Sequence, residues 1–164
     1  MYTFEDLEKL VNERPEAMDQ ELMEKLYLPY PDADTIRKAE QVLNVPFPED
    51  YTKSLLRWGV MFLKYTIIYG ICENNVNYGG GHNVIALTQD SREYAKLPEY
   101  YLAIVDHDGD EVICLDTRNS NGGPVIAWDC FYHDVDRTIA DSYLEFVIDL
   151  IKTELEYSAS ESPE

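Results

Sequence analysis

Basic side chains are scarce in this sequence. Its 164 residues hold 13 Lys and Arg against 32 Asp and Glu, a formal net charge of −19. Nucleic acid and anionic membrane surfaces repel such a chain, which excludes coating either one. Cysteine is rare too: Cys72, Cys114 and Cys130 form an odd set without CxxC spacing. That predicts reduced core thiols in a cytoplasm rather than a disulfide framework. Long apolar runs are missing, since the stretch over residues 59–72 is broken by Lys64 and Tyr65 and is too short to span a bilayer. The first six residues carry neither a basic nor an apolar stretch, so no secretory leader is expected. Apolar matter itself is plentiful, at 45% hydrophobic and 12% aromatic residues. That excludes a solvated coil and suffices for one domain with its own core.

The acid is unevenly placed. Residues 101–164 hold 15 acids and 3 bases, a net −12, whereas residues 31–100 hold 9 acids and 7 bases, a net −2. A one-sided field of this kind suits either general solubility or a basic partner.

Patterning divides the chain into an N-terminal helical extension (1–31), an α+β domain (32–157) and a disordered acidic tail (158–164). Thr3 is placed to cap a helix over 4–12. A second helix is expected over 16–28, with Met18, Leu22 and Leu26 on one face, before Pro29-Tyr30-Pro31 breaks it. Asp32 or Asp34 caps the next helix, whose apolar side is Ile36, Ala39, Val42 and Leu43, and Asn44 suits its left-handed stop. Pro48 opens another helix, with Tyr51, Leu55 and Trp58 buried and Gly59 ending it. Residues 65–69 read as a strand, 72–82 as a loop, and 84–96 as a helix capped by Asn83. The clearest local signal is a hairpin over 101–116 about Asp108-Gly109. A two-residue turn there pairs Leu102 with Leu115, Ala103 with Cys114, Ile104 with Ile113 and Val105 with Val112. Both faces are then apolar, which places these strands centrally in their sheet. A polar loop (118–123) and a strand at 124–128 follow. Ser142-x-x-Glu145 is a capping box before a long helix that fades after Leu155.

Several chemistries can be weighed. Asp106-x-Asp108-x-Asp110 begins like a calcium loop, but Glu111 and Thr117 stand where that loop needs Gly and Glu, so a hairpin turn is the better reading. The three histidines and three cysteines lack zinc-site spacing, and Gly79-Gly80-Gly81 lacks the Lys-Ser/Thr of a phosphate loop. No metal or cofactor is expected. An acid–base cluster of Asp129, His133 and Asp134 is the one enzyme reading available. Three histidines among 32 acids meet carboxylates by chance, no GxSxG is present, and a non-enzyme is expected. What remains is the acid: Asp106, Asp108, Asp110 and Glu111 at the hairpin tip, with Asp129, Asp134 and Asp136 after the last strand. These seven are the candidate partner-binding residues. Tyr78, Tyr94 and Tyr132 are candidate exposed anchors.

The order of motifs resembles the SUKH superfamily. Ile36, Ala39-Glu40, Leu43, Pro46, Pro48, Tyr51, Leu55-Leu56 and Gly59 resemble its opening. Ile68-Tyr69-Gly70, Leu97-Pro98, Cys114-Leu115-Asp116 and Tyr143-x-Glu145-Phe146-Val147 continue it over about residues 32–152. Val60 departs from a position that is often a second glycine. The resemblance implies an α+β fold in which helices pack on a mixed, largely antiparallel sheet, with no catalytic residue set. It implies a cytoplasmic immunity-type protein that neutralises a toxin domain, a basic nuclease being the expected partner, by occlusion. The alternative it implies is an intracellular regulatory interaction module without a toxin partner.

Overall fold

The computed structural model describes residues 1–119 and 122–161. Six helices run in the order α1 (Phe4–Glu13), α2 (Gln20–Tyr27), α3 (Ala33–Leu43), α4 (Glu49–Trp58), α5 (Val84–Tyr94) and α6 (Tyr143–Glu161). Between α4 and α5 lies a short antiparallel ribbon of β1 (Met61–Phe62) and β2 (Ile67–Ile68). Between α5 and α6 lies an antiparallel meander, β3 (Tyr101–His107), β4 (Glu111–Asp116), β5 (Val125–Asp129) and β6 (Asp134–Ala140), in that spatial order. The architecture is α+β, and the long C-terminal helix closes it.

Thr3 caps α1: its hydroxyl accepts the Asp6 N–H at 3.3 Å, and the Asp6 carboxylate accepts the Thr3 N–H at 2.7 Å. The second helix differs from expectation. Asp19 caps it by accepting the Leu22 N–H, so it starts late, and Met18 instead bridges to Leu63. Its buried face is therefore Met23 and Tyr27, one residue on from the expected one, and Leu22 and Leu26 are exposed. Leu7, Val11, Met23 and Tyr27 join the same cluster as Tyr51, Leu55 and Trp58, so the first 31 residues share the main core.

The motif residues of the next segment have concrete tasks. Asp32 caps α3, and Asn44 stops it at φ 55°. Val42 is exposed, and Ile36, Ala39 and Leu43 carry the buried face. The Glu40 carboxylate accepts the Phe47 N–H at 2.8 Å, which holds the extended link into α4. The buried Tyr51 hydroxyl donates to the Tyr69 carbonyl at 2.7 Å. Gly59 ends α4 at φ 70°, and Gly70 lies so close that a Cβ there would meet the Gly59 carbonyl oxygen at 1.9 Å.

Three sheet expectations need correction. Leu102↔Leu115 and Ala103↔Cys114 pair as predicted, but a bulge at Ile104 shifts the rest to Val105↔Ile113, Asp106↔Val112 and His107↔Glu111. The bulge turns Ile104 and Val105 both toward the main core, leaving Ala103 with Val112, Cys114, Ile126 and Trp128 on the second face. Next, β4 is central but β3 is an edge strand. Its edge is covered, because Thr88 on α5 exchanges hydrogen bonds with the Ala103 backbone and the Tyr69 N–H donates to the Ile104 carbonyl. Last, β6 was not anticipated. Its exposed run Asp134-Val135-Asp136-Arg137 lacks an apolar face, and its charges and two register shifts suit an open edge.

Ser142 caps α6 through the Glu145 N–H, while Glu145 reaches back to the Asp141 N–H rather than to Ser142. The helix continues to Glu161, beyond the expected fade at Leu155 and into the segment expected as tail. The β1–β2 turn tethers it there: the Tyr65 ring packs on Tyr157, and its hydroxyl donates to Glu161 at 3.2 Å. Residues 162–164 of the expected tail, and 120–121 of the expected polar loop, lie outside the described residues.

Candidate protein-binding face

The meander folds so that one end of the sheet collects two turns, β3–β4 and β5–β6. The Cys130 N–H of the second donates to the Asp110 carbonyl of the first at 3.0 Å and locks them side by side. Across this end the register runs His107↔Glu111, Glu111↔Asp129 and Asp129↔Asp134. Three carboxylates therefore stand in one cross-strand row, an arrangement that repels itself. All seven candidate acids lie at this end, Asp108 and Asp110 in the β3–β4 turn and the other five on the strand ends beside it.

Their partners differ. Arg137 grips Glu111 with two bonds, 2.9 and 3.1 Å, and reaches Asp136 at 2.7 Å. This guanidinium, helped by His107 at 2.9 Å, holds the Glu111 carboxyl down at about 2. Glu111 and Asp136 are thus neutralised from within. Asp129 accepts the N–H groups of Phe131 and Tyr132 through Oδ1, both at 2.8 Å, and Asp106 accepts the Gly109 N–H at 3.0 Å. These are turn-forming duties. The carboxylates of Asp108, Asp110 and Asp134 take no hydrogen bond or ion pair among the described residues, and all three are exposed.

Between these free acids the β5–β6 turn lifts two aromatic rings into solvent. Phe131 is 81% exposed and Tyr132 75%, and their rings pack edge to face at 5.3 Å. The Asp129 bonds and the positive φ of His133 hold the turn in shape. Two exposed aromatic side chains on a turn held beside one that carries unpaired carboxylates resemble the anchor-and-rim organisation of protein interfaces.

A model of the SUKH_5 family, described as SMI1-KNR4 cell-wall, matches residues 7–152. The chain belongs to this family. The match starts within α1, so it takes in most of α1 and all of α2. A crystal structure of a protein from Pseudomonas syringae pv. tomato is similar, with a TM-score of 0.67 at 15% identity, covering 88% of this chain and 98% of that one. At that identity the likeness is one of fold. A comparison with curated proteins finds no match.

The other chemistries can be placed on this SMI1-KNR4-family fold. The acid–base trio does not assemble as a relay: Asp129 is engaged by its own turn, and the His133 side chain has no partner among the described residues. Asp106, Asp108 and Asp110 form a hairpin turn, and among the described residues no group of three or more His, Cys, Asp or Glu is arranged to hold a metal ion. No described helix is long and apolar enough to cross a membrane. Of the three candidate tyrosines, Tyr94 and Tyr132 are exposed, whereas Tyr78 packs against Tyr27. Sequence reasoning missed Phe131 and Arg137. Phe131 sits beside Tyr132 in a polar run, which was its only signal. Arg137 is the lone base between residues 119 and 151, and that isolation was a signal too.

Proposed function

We propose that this protein is a non-catalytic, cytoplasmic immunity-type protein that neutralises a toxin domain, a basic nuclease, by covering it with the acidic end of the meander. The observation that carries the reading is the coincidence at one place of unpaired Asp108, Asp110 and Asp134 with the exposed pair Phe131 and Tyr132. A nuclease is basic because it binds phosphates, so free carboxylates steer association toward it and away from nucleic acid. The aromatic pair then supplies the short-range contact that charge alone lacks. Membership of a SUKH family supports a binding role over a catalytic one.

The test is co-expression with the toxic domain encoded beside the gene. Protection is expected, with tight and salt-sensitive binding. Replacing Phe131 and Tyr132 together by serine is expected to weaken binding by about tenfold or more while leaving thermal stability within about 0.5 kcal/mol. Absence of any protection, or full affinity in the double variant, overturns the reading. Weak binding to several proteins without protection would favour the regulatory alternative.

A further inference from the structure

Two cavities flank the acidic end and share a wall. One, of about 390 Å³, lies between the sheet and α6 over Ile113, Ile139, Phe146 and Leu150, and is also lined by Thr138 and by Arg137, whose guanidinium is already paired with Glu111 and Asp136. The other, of about 290 Å³, lies beyond the covered part of the β3 edge, among Tyr65, Tyr69, His82, Asp106 and Asp108. Thr66 and His107 line both, so the two are adjacent across these residues. Their chemistries are opposite. The first has an apolar floor. The second offers the free Asp108 carboxylate, the Asp106 oxygen not used by Gly109, and tyrosine rings. Carboxylates beside aromatic rings suit a cation. Two imidazoles line it: His82 is packed among Tyr27, Phe62 and Tyr69, where burial pushes its pKa down, and His107 is paired with Glu111 at 2.9 Å rather than with Asp106 or Asp108.

We infer that this double cavity receives a segment of the basic partner in which an arginine or lysine lies close to a leucine-sized apolar side chain. The cation enters between Asp106, Asp108 and Tyr69, and the apolar group sits on Ile139, Phe146 and Leu150. Charge complementarity selects the occupant: an acidic or neutral segment would leave Asp108 unpaired and meet the −12 of residues 101–164. The Thr66–His107 wall is fixed. Glu154 on α6 accepts the Thr66 hydroxyl at 2.6 Å and the Tyr65 N–H at 3.0 Å, and Glu111 holds His107. The mouth therefore needs little reorganisation on binding. This inference rests on the proposed function only for the basic character of the partner.

The experiment is a titration of isotope-labelled protein, followed by amide shifts, with a short capped Gly/Ser peptide that carries leucine and arginine two residues apart. Two control peptides replace arginine by glutamine or leucine by alanine. Shifts confined to residues 65–69, 105–108, 137–139 and 146–150 are expected, with either control about tenfold weaker. Asp108→Asn is expected to remove the preference for arginine over glutamine, and Ile139→Ser the preference for leucine over alanine. No binding at millimolar peptide, shifts at the other end of the sheet, or equal affinity for arginine and glutamine peptides overturns the inference. Peptide binding without protection in co-expression would sink the toxin reading and leave the cavity assignment standing. Protection unchanged by Asp108→Asn and Ile139→Ser, with no peptide bound, would do the reverse.

Discussion

Replacing Arg137 by glutamine removes the guanidinium that bridges Glu111 and Asp136 at the acidic sheet end and keeps a polar side chain on β6. In the wild type the guanidinium bonds both Glu111 oxygens and Asp136, and Glu111 is drawn from 4.5 down to about 2, with the Arg137 hydrogen bonds as the largest cause. That depression corresponds to about 3 kcal/mol in favour of the charged carboxyl. The Arg137 side chain is 51% exposed, so solvent screening reduces the usable part to about 1 kcal/mol. Loss of the cation also leaves Glu111, Asp129 and Asp134 repelling one another across the strands, about 0.2–1 kcal/mol more. Arg137→Gln is therefore expected to cost about 1–2 kcal/mol at pH 7, or about 3–6 °C in Tm for a domain of this size. The sign with pH follows from the direction of the shift. A carboxyl whose pKa is lowered by folding contributes its full stability above the unfolded value, near 4.5, and loses it as pH falls through about 2. Urea denaturation of both proteins between pH 7 and pH 2 reads the difference. The gap is expected to hold from pH 7 to about 5.5 and to close by about pH 2. A gap that stays constant down to pH 2, or a variant as stable as the wild type at pH 7, refutes the reasoning.

The thiols give a second prediction. Burial pushes Cys72 up to about 12, Cys114 well above the ordinary thiol range, and Cys130 upward as well. At pH 8 all three are expected to react with a colorimetric disulfide reagent far more slowly than free cysteine, with the half-buried Cys130 first, and all at once when urea unfolds the chain. Fast reaction of two thiols in the folded protein would contradict the burial assigned to Cys72 and Cys114. A third concerns Glu154, a buried acid that accepts the Tyr65 N–H and the Thr66 hydroxyl. Glu154→Ala strands both donors and is expected to cost about 1–3 kcal/mol. It should also speed hydrogen exchange at Tyr65, and unchanged exchange there would show that the latch does not hold the β1–β2 turn.

Elements whose residues carry their own local instruction were legible in the sequence. Thr3, Asp32, Asn83 and Ser142 cap helices, Asn44 and Gly59 end them, and the apolar strands about Asp108-Gly109 form the hairpin. Features settled by tertiary contact were not. The Ile104 bulge follows from the need to seat two large side chains in one core, which no local pattern states. The buried face of α2 depends on Met18 leaving the helix to meet Leu63, 45 positions away. Strand β6 has no apolar period because it lines an open edge. The last helical turns persist through Tyr65, far off in sequence. At the candidate site the seven acids were readable as acids, but their roles were not, since those depend on cross-strand register and on where Arg137 reaches.

The hydrogen-bond partners separate three kinds of acid that composition lumps together. Asp6, Asp19, Asp32, Asp106 and Asp129 each accept backbone N–H groups and so have local structural work. Glu111 and Asp136 are balanced by Arg137. Asp108, Asp110 and Asp134 have neither role, and Asp134 stands directly opposite Asp129 in a self-repelling row. Solubility asks only for charge somewhere on the surface, and this chain has 32 acids from which to supply it. It does not ask for an unpaired acid set directly opposite another acid at the end of the sheet that also exposes two aromatic rings. Such an arrangement is expected to lower the stability of the free protein, and under the proposed function a cationic partner surface would offset that cost. If the face is used, Asp134→Asn should therefore raise the stability of the isolated chain at low salt while weakening its complex. If the acid is there for solubility alone, the same change should leave binding untouched.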